Sequence, residues 1–191
     1  MGGTFSSGTR AFDTLPLIAA PPTMQPGGYV PEAYKDRLQA VTPTVDISAV
    51  QQGEGWVIEL RWSCPNPVKS IASETDLFTD AAAILVPGTM KAPWLTMGAP
   101  GHPVEAALWR ADKGQLYRMH AQGLGTMDRS TPPQSWSVEA NWENGRWNIR
   151  YLIGDWPVLS QFGRIGVAIW RGESQDRGGL KSVTESWVTV R

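Results

Sequence analysis

Apolar residues recur at every second position in three stretches of the chain, and this alternation constrains the fold more than any other feature. A period of two places alternate side chains on one face of a β-strand, whereas a helix needs a period near 3.6. Asn144-Gly145 separates the second stretch from the third and is typical of a two-residue hairpin turn. The pattern therefore predicts antiparallel strands with one buried face. The alternating residues are Trp56, Ile58, Leu60 and Trp62, then Trp136, Val138, Ala140 and Trp142, then Trp147, Ile149, Tyr151 and Ile153.

Further strands are predicted where short apolar runs lie between turn residues. The run at 78–87 is apolar on both faces toward its end, which indicates a central strand. About eight strands at short spacing predict an all-β fold, an antiparallel β-sandwich with few short helices. The 20 Gly and 15 Pro are consistent with the many turns of such a fold. The other predicted strands cover 104–112, 114–122, 164–171 and 183–190.

The N-terminal quarter of the chain has a different composition. Residues 1–45 are poor in alternating apolar residues and rich in Gly, Ser, Pro and Thr, and they are predicted to form an extended arm. A short helix is predicted within this arm at 31–38, with Pro31 at its first position. Residues 46–191 then form the β-sandwich domain, a division that suits a chain of 191 residues.

Several functional classes find no support in the sequence. The net charge of −1 argues against nucleic acid as a partner. His102 and His120 are the only histidines, and no zinc-protease motif, nucleophile elbow or phosphate-binding loop occurs. Cys64 is the only cysteine, so neither an intrachain disulfide nor a C-x-x-C-H haem attachment can form. No apolar run approaches the ~20 residues of a membrane span, and residues 1–20 do not resemble an ordinary secretory signal.

The ten tryptophans exceed the needs of a single core of this size. Tryptophan provides a large flat surface, which can line a site for a flat cofactor or stack against sugar rings. Composition therefore favours two classes about equally. One is a domain that lines a large cofactor, and the other is a carbohydrate-binding β-sandwich module with exposed indoles.

Residues 92–101 form the most constrained loop in the sequence, because Pro93 and Pro100 fix their own backbone and Gly98 and Gly101 permit tight turns. Met97 lies at the centre of this loop, after Trp94. A thioether held on a rigid loop can serve as a soft metal ligand, although most methionines fill gaps in a core. His102 is an alternative ligand nearby. Lys181, at the end of the polar loop 173–179, would by default be solvated.

Several segments, taken in order, resemble the haem-binding gamma subunit of the ethylbenzene dehydrogenase group, within the dimethyl-sulfoxide-reductase superfamily of molybdenum enzymes. The resemblance covers roughly residues 50–190, and each segment alone is weakly specific. Cys64 departs from the pattern, since relatives commonly carry an acidic residue in that segment, and residues 1–50 match nothing in it. The matching segments are 78–84, 94–98, 104–112 with Trp109, 145–150, 165–170, 177–183 and Trp187.

The resemblance implies a non-covalent b-type haem within a β-sandwich, with a methionine and a lysine as axial ligands. Carried over to matching positions, these ligands are Met97 and Lys181. The sandwich faces, with Trp94 or Trp170, are expected to form the pocket walls. A lysine can ligate iron only as the neutral amine, so the pocket must displace a proton from a group with a pKa of about 10.4 when free.

The resemblance further implies a subunit that transfers electrons and has no substrate chemistry of its own. Its expected partners are an iron–sulfur beta subunit and a catalytic alpha subunit that carries molybdenum, with a soluble cytochrome or similar carrier as the external partner. The molybdenum cofactor and the iron–sulfur clusters would belong to those subunits alone. The expected compartment is the periplasm, reached by export together with a partner. The carbohydrate-binding module stays open as the alternative function.

Overall fold

The structure confirms the predicted all-β architecture. It is a computed structural model that describes residues 11–24, 32, 34–71 and 78–190. Thirteen strands and one short helix, α1 (Pro157–Phe162), are formed within these residues. The strands are β1 (Asp13–Pro16), β2 (Ile18–Ala19), β3 (Thr44–Gln52), β4 (Gly55–Ser63), β5 (Ala81–Pro87), β6 (Val104–Arg110), β7 (Tyr117–Ala121), β8 (Asp128–Ser130), β9 (Ser137–Glu143), β10 (Arg146–Ile153), β11 (Arg164–Trp170), β12 (Ser182–Val183) and β13 (Val188–Thr189).

The first sheet contains the three stretches of alternating residues. Its order is β1-β3-β4-β10-β9, and every neighbouring pair is antiparallel. The predicted hairpin joins β9 to β10, with Asn144 at φ 50° and Gly145 at φ 74°. Positive φ at both central residues defines a type I′ turn, which matches the twist of the flanking strands. The turn fixes the register, so that Trp147 lies opposite Trp142.

The second sheet has the order β2-β12-β11-β5-β6-β7-β8, and β13 pairs with the beginning of β11. Strand β5 is central, as predicted, and all seven of its residues are buried. Residues 13–16 and 18–19, which belong to the predicted N-terminal arm, add β1 to the first sheet and β2 to the second. The predicted helix at 31–38 lies partly outside the described residues, and residues 34–36 form a turn.

The prediction of one strand over 183–190 is wrong. Two short strands, β12 and β13, pair instead with opposite ends of β11. The chain leaves the sheet between them, where Glu185 and Ser186 are exposed and the Trp187 indole donates a hydrogen bond to the Ala92 carbonyl at 2.9 Å. This indole contact draws the segment toward loop 92–101 and interrupts the pairing that a continuous strand would need.

The two sheets pack face to face around an aromatic core. Trp62, Trp109 and Trp147 contact one another at its centre, with ring centroids 4.9–6.5 Å apart. From β5, Ala82, Ile84 and Val86 enter this core, whereas the alternate residues point to the opposite side of the sheet. Strand β5 therefore has one face in the sandwich and one face in a second, outer layer.

A buried carboxylate connects the sheets where β5 begins. Asp80 is fully buried and accepts hydrogen bonds from the backbone N–H of Gly172 at 2.8 Å and of Val68 at 3.0 Å. It also accepts hydrogen bonds from the Trp147 indole at 2.9 Å and the Cys64 thiol at 3.4 Å. These bonds tie the start of β5 to the end of β11 and to β10, and so fix one end of the outer layer.

Candidate functional site

A cavity of about 470 Å³ lies on the outer face of the second sheet, the face that points away from the first sheet. Its floor is formed by small side chains, Ala81 and Ala83 of β5 and Ala106 of β6. Because alanine extends little above a sheet, these residues leave room for a ligand that lies flat on the strands. The cavity therefore lies beside the sandwich core, on the outer face of the second sheet.

Met97 is held at the cavity by an unusual backbone conformation. It has φ 56°, which is rare for a residue with a side chain, and Gly98 follows with φ 87°. The Met97 N–H donates to the Trp94 carbonyl at 2.9 Å, and its own carbonyl accepts from the N–H of Gly123 at 3.0 Å. Such backbone strain costs on the order of 1–3 kcal/mol and persists only where the surroundings enforce it. Loop 92–101 is thus rigid at the residue that faces the cavity.

Trp94 fixes this loop to the sheet. Its indole lies directly over Gly166 of β11, in the space that a Cβ atom would fill, and its N–H donates to the Thr184 carbonyl at 2.5 Å. The ring also packs against Trp187, with centroids 4.9 Å apart. Trp94 does not line the large cavity. It lines a smaller adjoining cavity together with Met97 and Lys181.

Lys181 reaches the cavity from the other side. Its carbonyl accepts a hydrogen bond from Ala20 N–H at 2.9 Å, and β12 begins at the next residue, so its backbone is fixed at the sheet. The Nζ atom lies 3.7 Å from Met97 Sδ and 5.1 Å from the centroid of the Trp170 ring. Burial removes water from the ammonium and lowers the pKa of Lys181 to about 8. The amine therefore loses its proton more readily than the amine of an exposed lysine.

The structure brings three of the four predicted site residues to the large cavity. Met97, Lys181 and Trp170 line it, and the Trp170 indole is oriented by a hydrogen bond to the Gly178 carbonyl at 3.0 Å. His102, the alternative ligand, instead shares a hydrogen bond of 2.9 Å with the Thr89 hydroxyl and does not line the cavity.

Sequence reasoning missed the floor of the cavity. Ala81, Ala83 and Ala106 carry no functional group, and Met119 of β7 beside them looks like an ordinary core residue. The sequence did contain a signal for this floor. Ala81 and Ala83 occupy alternate positions of the strand that was predicted to be buried on both faces. Large residues would be expected at such positions, so small ones indicate that something else fills the outer layer.

The donor atoms at this site define the chemistry that it can support. A thioether and a neutral amine are soft or intermediate ligands that suit transition metals. Among the described residues, no group of three or more His, Cys, Asp or Glu could hold a metal ion by itself. A metal at this cavity would therefore need ligands from another molecule as well, with Met97 and Lys181 as the donors that the protein offers.

None of the ten tryptophans is exposed. Seven are buried, and Trp142, Trp170 and Trp187 are partly buried with their indole N–H groups bonded to carbonyls. A carbohydrate-binding platform needs exposed indoles on which sugar rings can stack. The arrangement of tryptophans thus argues against the carbohydrate-binding alternative.

The fold and the site define a class: an antiparallel β-sandwich whose second sheet carries, on its outer face, an apolar cavity with a facing methionine and lysine. The chain is 31% identical over 162 residues to the chlorate reductase subunit gamma of Ideonella dechloratans, covering 80% of this chain and 66% of that protein. It is 29% identical over 188 residues to a protein of Haloferax mediterranei named as a respiratory nitrate reductase heme subunit, covering 93% of this chain and 64% of that protein.

A third relative is the dimethylsulfide dehydrogenase subunit gamma of Rhodovulum sulfidophilum, 24% identical over 188 residues, which are 92% of this chain and 68% of that protein. No family model matches the chain. The chain belongs to the family of these gamma haem subunits of the dimethyl-sulfoxide-reductase superfamily, which confirms the resemblance seen in its motifs. It spans about two thirds of the length of these relatives.

Proposed function

We propose that this chain is a b-type haem electron-transfer subunit of a multisubunit molybdenum oxidoreductase, with Met97 and Lys181 as the axial ligands of the haem. The observation that carries the proposal is the approach of Lys181 Nζ to Met97 Sδ at 3.7 Å, beside an apolar cavity. These residues are 84 positions apart in sequence. Residues so far apart in sequence are brought together by the fold beside this cavity.

The residues present fit a haem. The cavity volume of about 470 Å³ lies within the range of cofactor sites, roughly 300–1,000 Å³, and most of its lining is apolar. Met97 and Lys181 would hold the metal of a flat cofactor bound here, since both side chains line this cavity. The Cys64 thiol is buried between the sheets and donates a hydrogen bond to Asp80, so it cannot form a covalent bond to the cofactor.

A haem bound here supplies a centre that gains and loses one electron. Lys181 contributes a neutral amine, which its buried position favours because a charged ammonium is desolvated there. Met97 contributes a thioether, a ligand that raises the potential of haem iron, and the apolar lining acts in the same direction. With Met97 and Lys181 both bound to it, a haem iron held here would have no coordination position left for a substrate.

The surrounding complex follows from the relatives. Chlorate reductase and dimethylsulfide dehydrogenase each include the gamma subunit that is similar to this chain. We infer that this chain receives electrons from, or passes them to, an iron–sulfur beta subunit joined to a molybdenum-containing alpha subunit, with a soluble cytochrome-like carrier outside the complex. Among the described residues no helix is long and apolar enough to span a membrane. The periplasm, reached by export with a partner, is the proposed compartment.

The test is an absorption spectrum of the purified protein before and after reduction with dithionite, combined with a pyridine haemochrome. We expect a low-spin six-coordinate spectrum and a b-type haemochrome. Met97→Ala and Lys181→Ala should turn the haem high-spin or lose it. Met119→Ala is the matched control, because Met119 lines the same cavity from its floor and should leave the spectrum low-spin. Unaltered low-spin spectra in both ligand variants would contradict the assignment, and failure of the protein to bind haemin would contradict the function.

A further inference from the structure

Two arginines at the large cavity have aromatic contacts and no acidic partner among the described residues. Arg177 lies in the loop after β11, with its guanidinium 4.9 Å from the centroid of the Phe78 ring. Arg129 lies on β8, with its guanidinium 4.3 Å from the centroid of the Tyr117 ring. In the described part of the chain, neither guanidinium lies within 4 Å of a carboxylate oxygen.

Two other charged groups at the cavity, Arg110 and Asp176, already have partners of opposite charge. Arg110 forms two hydrogen bonds of 3.0 Å with the carboxylate of Asp112, in the paired geometry of an arginine–carboxylate contact. Asp176 pairs with Arg37 and accepts a hydrogen bond from the N–H of Arg171 at 2.9 Å. Among the described residues, Arg129 and Arg177 are therefore guanidinium groups of this cavity without a carboxylate partner.

We propose that Arg129 and Arg177 bind the two carboxylate groups of the haem, and this inference rests on the proposed function. A haem has an apolar ring and two carboxylates, and this cavity combines a mostly apolar lining with two guanidinium groups. The planar guanidinium can donate two parallel hydrogen bonds to one carboxylate. A lysine ammonium lacks this paired geometry. Tyr117 and Phe78 hold the two guanidinium groups in place through their ring faces. Arg177 is the more buried of the two and should contribute more.

The experiment compares the binding of haemin with that of haemin dimethyl ester, in which the carboxylates carry no charge. Both are titrated into the haem-free chain of 191 residues from the same detergent solution. The wild-type protein should prefer haemin. Arg177→Gln should weaken haemin binding about tenfold and Arg129→Gln about threefold, because partly buried charged hydrogen bonds contribute more than exposed ones. Neither change should alter the affinity for the ester.

Arg146→Gln is the matched control, because Arg146 lies on the first sheet and pairs with Asp46. It should leave both affinities unchanged, and Arg177→Lys should restore only part of the preference. Equal urea midpoints of the haem-free variants would show that the fold is intact. Full retention of the wild-type preference in both glutamine variants overturns the carboxylate assignment while the haem site stands. A wild-type protein that binds neither compound instead refutes the proposed function itself.

Discussion

The most informative single substitution is Gly166→Ala, because Gly166 supports the loop that carries Met97. A Cβ atom at this position would lie 2.3 Å from Cζ3 and 2.4 Å from Cη2 of Trp94. In proteins, a Cβ atom essentially never comes within 3.0 Å of a heavy atom from a residue that is not its neighbour in the chain. Ordinary van der Waals contact begins near 3.4 Å. The indole must therefore move by about 1 Å. A rigid ring bonded through its N–H to the Thr184 carbonyl cannot do so without loss of that hydrogen bond.

The expected cost can be estimated from these two effects. Overpacking of a core typically costs about 1–3 kcal/mol, and an unsatisfied buried donor about 1–3 kcal/mol. We expect a loss of about 3 kcal/mol in the free energy of unfolding, since part of the strain relaxes when the hydrogen bond breaks. For a chain of this length, that loss corresponds to a Tm lower by about 6–12 °C. The haem affinity should fall as well, because Met97 moves with Trp94.

Urea unfolding of the haem-free protein measures the stability, and haemin titration measures the effect on the site. Gly114→Ala is the control, because no atom lies within 4 Å of a Cβ built there. That variant should differ from the wild type by less than about 0.5 kcal/mol. Replacement of Trp94 by Phe in the Gly166→Ala background removes the colliding ring and should recover part of the loss. The reasoning is refuted if Gly166→Ala is as stable as Gly114→Ala and binds haemin with wild-type affinity.

Three further predictions concern buried groups. Asp80→Asn should lower the free energy of unfolding in urea by about 3 kcal/mol or more, because an amide cannot accept all the hydrogen bonds that the two carboxylate oxygens accept; wild-type stability would contradict it. Burial raises the pKa of the Cys64 thiol to about 12, so native protein at pH 8 should resist iodoacetamide and react readily once unfolded in urea. Since the pKa of Lys181 is about 8 when folded and about 10.5 when unfolded, haem-free protein should gain stability as pH rises through that window. Haemin affinity should increase about tenfold per pH unit below pH 8 and level off above it, and a flat profile would exclude Lys181 as the ligand.

Alternation was sufficient to predict three of the five strands of the first sheet, because β4 and β10 bury their alternating apolar residues and the edge strand β9 partly buries Val138 and Trp142. Strands β4, β9 and β10 and the turn at Asn144-Gly145 follow directly from that pattern. Strand β8 is three exposed residues long and carries no such signal. Strand β3 was not identified, because its second half ends in exposed Gln51 and Gln52 and the apolar period is short.

The site was harder to predict because its two central residues come from distant loops. The proline and glycine content of loop 92–101 drew attention to Met97, and the structure shows a strained backbone at that residue. Nothing local marks Lys181, which only the family resemblance selected. What relates the two residues is the pairing of β12 with β11 and of β11 with β5, which places Lys181 across the cavity from Met97. Pairing between strands far apart in sequence is not encoded in either loop.

The burial of both faces of β5 explains why the site lies outside the sandwich. A strand buried on both faces is typical of parallel sheets that helices cover, and here no helix covers the outer face of the second sheet among the described residues. The outer layer consists of loop 92–101, the segment that carries Lys181, and the cavity between them and the alanines of β5 and β6. This layer leaves an apolar cavity of about 470 Å³, which a bound ligand would fill under the proposed function. Small side chains on a central strand are unfavourable in a self-sufficient sandwich, but they are required where a flat cofactor completes the second layer.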